Sequence, residues 1–300
     1  MNNMNIIKKR RHWIKLGLKA LKLYINQNDY TQNMLKTSYN IIANSYNNYW
    51  TQKTHILSEN MLQQLNPPKG GKSLDLTCGT GFVTNKLFEI TGGNVTGVDF
   101  SEGMINVAKE NYGQNCRFIQ YDILDYLKKQ PPSSYDVITC AWGLGYLPSY
   151  EVIKEISRVL RSGGKVGIID NSMFNNWEIV FYIIMALAEE PDALQYLIRS
   201  HYLLTTGSLT WRMRLNGIKV INSWKGLKIY KLSDRKKAME QFIKSGAAAG
   251  IEQMINEKYK EKIINRVGEL LQKYHETKDF VPIIHRYFAA VGVKGYIKHN

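Results

Sequence analysis

Ser73-Leu74-Asp75-Leu76-Thr77-Cys78-Gly79-Thr80-Gly81 combines a strand end, an acid and a two-glycine turn in nine residues. Lys72 and Leu74 to Leu76 have the pattern of a buried strand's last residues, because the apolar run stops abruptly at small ones. Phe82-Val83-Thr84-Asn85-Lys86-Leu87-Phe88-Glu89 then has the pattern of an opening helix. Gly79 and Gly81 allow a sharp turn and let a ligand approach with no Cβ in the way. Asp75 is the distinguishing residue. A dinucleotide site aims backbone N–H groups and a helix N-terminus at a pyrophosphate, where a carboxylate is unfavourable. A ligand carrying an ammonium or sulfonium group favours that carboxylate.

Working outward, Gly92-Gly93 turn the chain into a second strand, Asn94-Val95-Thr96-Gly97-Val98-Asp99, again ending in an acid. A carboxylate there can accept both hydroxyls of a ribose. Ser101 has the position of a helix N-cap, with Met104 one turn on. A third strand, Cys116 to Ile123, ends at Asp122. One acid at a strand end is ordinarily a loop residue. Three at regular intervals, the first beside a glycine turn, argue for one ligand bridging them. Tyr135 to Trp142 reads as a fourth strand, followed by Gly143-Leu144-Gly145-Tyr146-Leu147, a helix from Glu151 to Leu160, and a fifth strand from Val166 to Asp170.

Four stretches resemble the motifs of the class I S-adenosylmethionine-dependent methyltransferases of small-molecule or lipid type. They are Tyr39-x-x-x-Ala43-x-x-Tyr46-Asn47, Asp75-x-x-x-Gly79-x-Gly81, Val98-Asp99-Phe100-Ser101-Glu102-Gly103-Met104-Ile105 and Leu160-Arg161-Ser162-Gly163-Gly164. The resemblance covers residues 37–170. It implies an α/β fold, a doubly wound seven-stranded Rossmann-like sheet, with S-adenosylmethionine as cofactor. It also implies cofactor contacts from Tyr39, Tyr46, Asp75, Thr77, Gly79, Gly81, Asp99, Phe100, Met104, Asp122, Ile123 and Ala141. In that family the acids corresponding to Asp75, Asp99 and Asp122 serve the methionine amine, the ribose and the adenine amino group. The aromatics ahead of the core shield the methionine end from water. The chain departs from the pattern at Asn47 (Asp is usual), Thr77 (Gly or Ala) and Ser162 (Pro), and it has no His near Gly145 or Tyr146. The last departure leaves the acceptor open.

The rival reading, an NAD-dependent oxidoreductase, shares the Gly-x-Gly turn and Asp99. Asp75, Asp122 and Thr84 in place of a third glycine count against it. Asn66-Pro67-Pro68-Lys69 is no catalytic tetrad of an amino-directed DNA methyltransferase, because it precedes the first strand and ends in lysine.

The chain's 300 residues suit one large domain or a domain with a sizeable insertion, and 44% hydrophobic against 22% charged residues suffices for a full core. Cys78, Cys116 and Cys140 are too scattered for a metal site or disulfide framework and fit a reducing cytoplasm. The formal charge of +15 permits an anionic partner, nucleic acid or lipid. No nucleic-acid-binding module is recognisable, so RNA methylation stands only as an alternative. Lys8-Lys9-Arg10-Arg11 precedes Ile14, Leu18, Leu21 and Ile25 at helical spacing, with Trp13 and Tyr24 beside them and Lys15, Lys19 and Lys22 opposite. Such a helix packs on its own domain, the expectation preferred here, or lies at the inner surface of an anionic membrane.

About 130 residues follow Asp170, more than the remaining strands and helix need, so an insertion is expected. The expected division is 1–36 as a basic extension, 37–170 as the cofactor core, 171–245 as a mainly helical lid, and 246–300 as the rest of the core. Trp177 to Ala188 reads as a buried helix. Residues 209–232 read as a small hairpin or sheet element with a turn at Asn216-Gly217, followed by helices over 234–244 and 252–274. Val281 to Val293 is a long apolar run that would supply the last strand, which the resemblance implies is antiparallel and inserted within the sheet.

The reaction expected is methyl transfer to N or O of a hydrophobic small-molecule or lipid-like acceptor. An amine acceptor needs only a route for proton loss, whereas a hydroxyl wants a base within reach. Tyr146, Asp170, His201 and His285 are the residues considered for that role, each with an ordinary structural reading beside it. No metal is expected, and the oligomeric state is left open.

Overall fold

The computed structural model describes residues 3–26, 31–275, 277 and 280–295, with only the backbone of 3–9 and 275. Helices α1 (Asn3–Asn26) and α2 (Thr31–Tyr46), a π-helical turn (Asn47–Thr51) and α3 (Gln52–Leu65) come first. Then strands and helices alternate: β1 (Ser73–Leu76), α4 (Phe82–Thr91), β2 (Val95–Asp99), α5 (Glu102–Tyr112), β3 (Arg117–Gln120), α6 (Ile123–Lys129), β4 (Tyr135–Ala141), α7 (Ser149–Val159) and β5 (Leu160–Asn171). Next are α8 (Trp177–Glu189), α9 (Thr206–Leu215), β6 (Ile218–Leu232), α10 (Arg235–Lys244), α11 (Ile251–Met254), α12 (Glu257–His275) and β7 (Val281–Lys294).

The seven strands form one sheet in the order β3-β2-β1-β4-β5-β7-β6. β1 to β5 pair in parallel, and β7 runs antiparallel beside β5, with Ile168 opposite Ala290. The last strand therefore enters between β5 and β6, as the resemblance implies. Successive residues feed opposite faces: Ile138, Cys140, Val166, Ile168 and Phe288 join one core, Val137, Ala141, Ile169 and Ala289 the other. A sheet covered on both faces demands near-continuous apolar strands, which explains the unbroken burial of β1. The strand order reverses between β1 and β4, and the crevice beyond the carboxyl ends of two such strands is where this architecture takes ligands.

The chain divides into two compact units. One holds 39–175, 200–227 and 286–300; the other holds 1–38, 176–199 and 228–285. This differs from boundaries at 170 and 245. Residues 235–275 do not return to the sheet: Phe242, Ile263, Val267 and Leu271 share a core with Leu16, Ile179 and Ile183. Leu209, Met213 and Ile218 join the sheet core instead. The expected hairpin is also corrected. Its turn and second strand are present, but 206–215 is a helix capped at Thr205, whose side chain and that of Ser208 bond each other's backbone N–H. The helix expected over 252–274 is broken at Ile255, giving α11 and α12.

No helix among the described residues is long and apolar enough to cross a membrane.

Candidate cofactor site

The glycine turn leaves β1 through three residues with left-handed backbone, Thr77 (φ +56°), Gly79 (φ +52°) and Gly81 (φ +89°). The two glycines do different work. At Gly79 a Cβ would meet only open space, so the bare backbone borders the crevice. A Cβ at Gly81 would lie 2.9 Å from the rings of Tyr112 and Phe118, so that glycine lets the start of α4 pack. Thr77 is a branched residue in a region that suits glycine, which explains why the motif ordinarily avoids it here. Its hydroxyl lies 2.6 Å from the Leu76 carbonyl oxygen and 3.2 Å from that of Ala141. Its methyl and Cβ occupy space that only a glycine at 143 leaves free, 2.6 Å from where a Cβ there would stand.

Asp75 is fully buried under the turn and accepts hydrogen bonds from the Thr84 hydroxyl at 2.7 Å and the Thr139 hydroxyl at 2.6 Å. Thr84, which replaces the third glycine of a dinucleotide motif, is thereby tied to the acid that such a motif lacks. The close approach of helix to strand comes from Gly97 on β2, where a Cβ would be 2.8 Å from the Thr84 hydroxyl oxygen. Asp99 accepts from the backbone N–H of Gly79 at 3.0 Å and of Ser101 at 2.9 Å, bracing the turn against β2. Asp170, at the end of β5, accepts from the Gly145 N–H and the Asn171 N–H, both at 2.6 Å. Burial pushes Asp75 and Asp170 up to about 7 and Asp99 up to about 6. No ion pair among the described residues includes any of the three.

A cluster of aromatic residues joins α2 to the loop after β4. Tyr39 donates its hydroxyl to that of Tyr146 at 3.2 Å and packs edge-on against Tyr46, Phe100 and Tyr146. Tyr146 also meets Tyr202, with centroids 5.4 Å apart. Burial raises the pKa of all four phenols, so they serve as neutral hydrogen-bonding groups. A cleft beside the glycine turn is lined by Tyr46, Trp50, Asp75, Thr77, Gly79 and Trp142. Trp142 has φ +65° and holds its indole N–H on the Ser58 hydroxyl at 2.9 Å. Met104 is buried beneath Ile42, Ala43 and the two lead-in tyrosines.

Asp122 is exposed and caps α6, accepting from the Asp125 N–H at 2.9 Å. Ile123 is packed in the sheet core. The His201 side chain is exposed, while its backbone N–H bonds the Gly145 carbonyl at 2.7 Å. With Asp170 on its N–H and His201 on its carbonyl, Gly145 is held at both ends. His285 is buried beside Tyr230, and burial lowers its pKa to about 3, which fits a core residue.

Sequence reasoning missed the two asparagines that fasten the lead-in segment. Asn40 accepts from the Ser101 hydroxyl at 2.7 Å and the Gly103 N–H at 3.0 Å. Asn47 accepts from the Thr80 hydroxyl at 2.6 Å and that of Thr51 at 3.0 Å. The signal was visible at Asn47, where an amide oxygen does the accepting expected of a carboxylate. Tyr202 had no motif to mark it.

Residues 74–164 match the family described as "Methyltransferase domain". Demethylmenaquinone methyltransferases of Staphylococcus aureus, strains JH9 and Newman among them, are 34% identical over 138 residues, which is 44% of this chain and 54% of theirs. The chain thus spans about half the length of the curated relatives it matches. Among solved structures, the YcgJ protein of Bacillus subtilis superposes with a TM-score of 0.55 at 16% identity, covering 81% of this chain and all of the other. The [4+2]-cyclase SpnF gives 0.53 at 18% identity, with 83% and 84% covered. Likeness at that identity establishes the fold alone, and SpnF shows that the fold hosts more than one reaction. Residues 74–164 are thus similar to methyltransferase domains, and the glycine turn and strands β2 to β4 of the sheet lie within that match.

Proposed function

We propose that the protein binds S-adenosylmethionine in the crevice beyond β1 and β4 and transfers its methyl group to N or O of a small hydrophobic acceptor. One observation carries the reading: three carboxylates, Asp75, Asp99 and Asp170, are buried toward the carboxyl ends of β1, β2 and β5, and no ion pair among the described residues includes any of them. Buried acids are costly until a positive charge arrives. A ligand with both an ammonium and a sulfonium fits that donor set, and a pyrophosphate does not.

In this proposal Gly79 admits the ligand against bare backbone, Asp99 offers its remaining lone pairs to a ribose, and Asp122, which is exposed, meets the base. Asp75 acts through its field, since both its oxygens are already engaged. The bound cofactor supplies an electrophilic methyl on a good leaving group, so the chain's own task is alignment and exclusion of water. Tyr39, Tyr46, Tyr146 and Tyr202 do this as neutral phenols, and Asp170 and His201 fix Gly145 so that the loop after β4 keeps its shape. Burial keeps these phenols protonated, which favours positioning over proton abstraction.

The hydrophobic acceptor is supported by this cluster of aromatic side chains and by the chain's similarity to demethylmenaquinone methyltransferases. The three cysteines are unpaired and buried, which fits a cytoplasmic protein, and the basic first helix fits peripheral contact with an anionic inner membrane surface. Calorimetric titration with S-adenosylmethionine, followed by transfer of a labelled methyl group into a lipid extract, tests the proposal. Binding that weakens at least about tenfold in Asp99→Asn is expected. Absence of binding in the wild-type protein overturns the cofactor reading, and binding without methyl transfer to any extract fraction overturns the reaction.

A further inference from the structure

α1 has two apolar faces, and the one with regular helical spacing is turned to solvent. Leu16 is 8% exposed and, with the partly buried Ala20 and Leu23, packs against the core formed by α8, α10 and α12. Lys15 pairs with Asp192 at 2.7 Å and Lys19 donates to the Asp192 carbonyl, fixing the helix in that orientation. On a helical wheel Trp13, Ile14, Leu18, Leu21, Tyr24 and Ile25 then fall on one arc, on the order of 140° wide, which Gly17 shares and which Arg10 enters only at its N-terminal end. All six are exposed, Leu18 to 63% and Ile25 to 67%. Arg11 and Lys22 border the arc, both exposed.

We infer that this face docks flat on an anionic phospholipid bilayer. The inference deepens the proposed peripheral contact and is independent of the methyl-transfer chemistry. Six large exposed apolar side chains on one helix face exceed the scattered exposure that a soluble surface ordinarily shows. The helix carries seven basic residues (Lys8, Lys9, Arg10, Arg11, Lys15, Lys19 and Lys22) and no acid. That charge decides the occupant. A second copy of the chain seated on the same face brings two strongly positive helices side by side, whereas a phospholipid headgroup layer of negative charge neutralises them. An apolar arc flanked by lysine and arginine has the form of a helix lying in the headgroup plane, the aromatics Trp13 and Tyr24 at its edge.

The test is co-sedimentation of the full chain with vesicles of phosphatidylglycerol and phosphatidylcholine in equal parts, against vesicles of phosphatidylcholine alone. Wild-type protein is expected on the anionic vesicles and to be released by salt, while Leu18→Ser/Leu21→Ser/Ile25→Ser loses binding by at least about tenfold. These positions are exposed, so thermal melting and S-adenosylmethionine titration without vesicles should match wild type, which separates failure here from failure of the cofactor reading. Arg11→Glu/Lys22→Glu is expected to weaken binding to anionic vesicles without altering the melt. Retention of full vesicle binding by the triple serine variant overturns the inference. So does a wild-type protein that ignores both vesicle types, or a wild-type dimer that the triple substitution dissociates.

Discussion

Thr139 on β4 donates its hydroxyl across 2.6 Å to Asp75 on the neighbouring strand β1, placing a buried acid and its partner under the turn that borders the crevice. The register makes the pair: Asp75 and Thr139 are directly opposed, and Gly97 flanks Asp75 on the other side. Thr84 supplies the second donor from α4. Because the carboxyl is fully enclosed, losing either donor leaves an unsatisfied oxygen in a place water does not reach. Thr139→Val, which keeps the shape, is expected to cost about 1–3 kcal/mol at neutral pH in denaturant unfolding. An unchanged midpoint would show that the bond contributes nothing.

The strain at Thr77 predicts an inverted ranking. Ordinarily a larger truncation costs more. Here Thr77→Val keeps the branched side chain at φ +56° and removes the hydroxyl that bonds Leu76 or Ala141. Thr77→Gly removes the hydroxyl and also relieves the left-handed backbone, worth about 1–2 kcal/mol. The valine variant should therefore unfold at lower denaturant than the glycine variant, and the opposite order contradicts the assignment of strain.

Gly145 and Tyr202 should be energetically coupled. A Cβ at position 145 would overlap the Tyr202 ring, so Gly145→Ala is expected to destabilise by about 1–3 kcal/mol. Tyr202→Ala removes the obstacle. The double variant should be more stable than the sum of the singles implies, by at least about 0.5 kcal/mol. Strict additivity in the double-mutant cycle would mean that the loop after β4 moves aside freely.

The buried acids set opposite pH trends for the free and the liganded protein. Asp75 and Asp170 at about 7 and Asp99 at about 6 lie above the ordinary carboxylate value of 3.8, so the folded state holds more protons than the unfolded one between pH 4 and 7. The contribution of these groups to stability therefore falls as pH rises through that window and levels off above it. A cationic ligand favours the ionised forms, so its affinity should climb with pH across the upper part of the window, by up to about tenfold per unit for each proton released. Calorimetric titration of S-adenosylmethionine over this range checks the sign. An affinity indifferent to pH would separate the three acids from the ligand.

Much of the cofactor core was legible because its signals are local. Each of the first strands is a short apolar run closed by an acid or glycine, and the tail strand is a long apolar run with no helical spacing. The failure at 206–215 is instructive. Trp211, Met213 and Leu215 alternate with arginines and so imitate a strand, yet Leu209 and Met213, four apart, are the buried pair, while Trp211 and Leu215 are exposed. Which apolar residues are buried decides the period, and spacing alone does not reveal it. The better local clue was the cap at Thr205 and Ser208.

By itself, then, the sequence determined the parallel sheet, the glycine turn, the acids at the strand ends and the identity of the ligand they suit. These follow from residue types within a few positions of one another. The tertiary structure decided the rest: that Asp75 is enclosed by Thr84 and Thr139, that Asp122 caps a helix in solvent, and that α10 to α12 form a core with α1 and α8. It also decided which face of α1 is buried, against the regular spacing of Ile14, Leu18, Leu21 and Ile25. A helix with two apolar faces has no local preference between them. The choice is made by the partner available to cover one, and that partner lies over 150 residues away in the chain, at Ile179 and beyond.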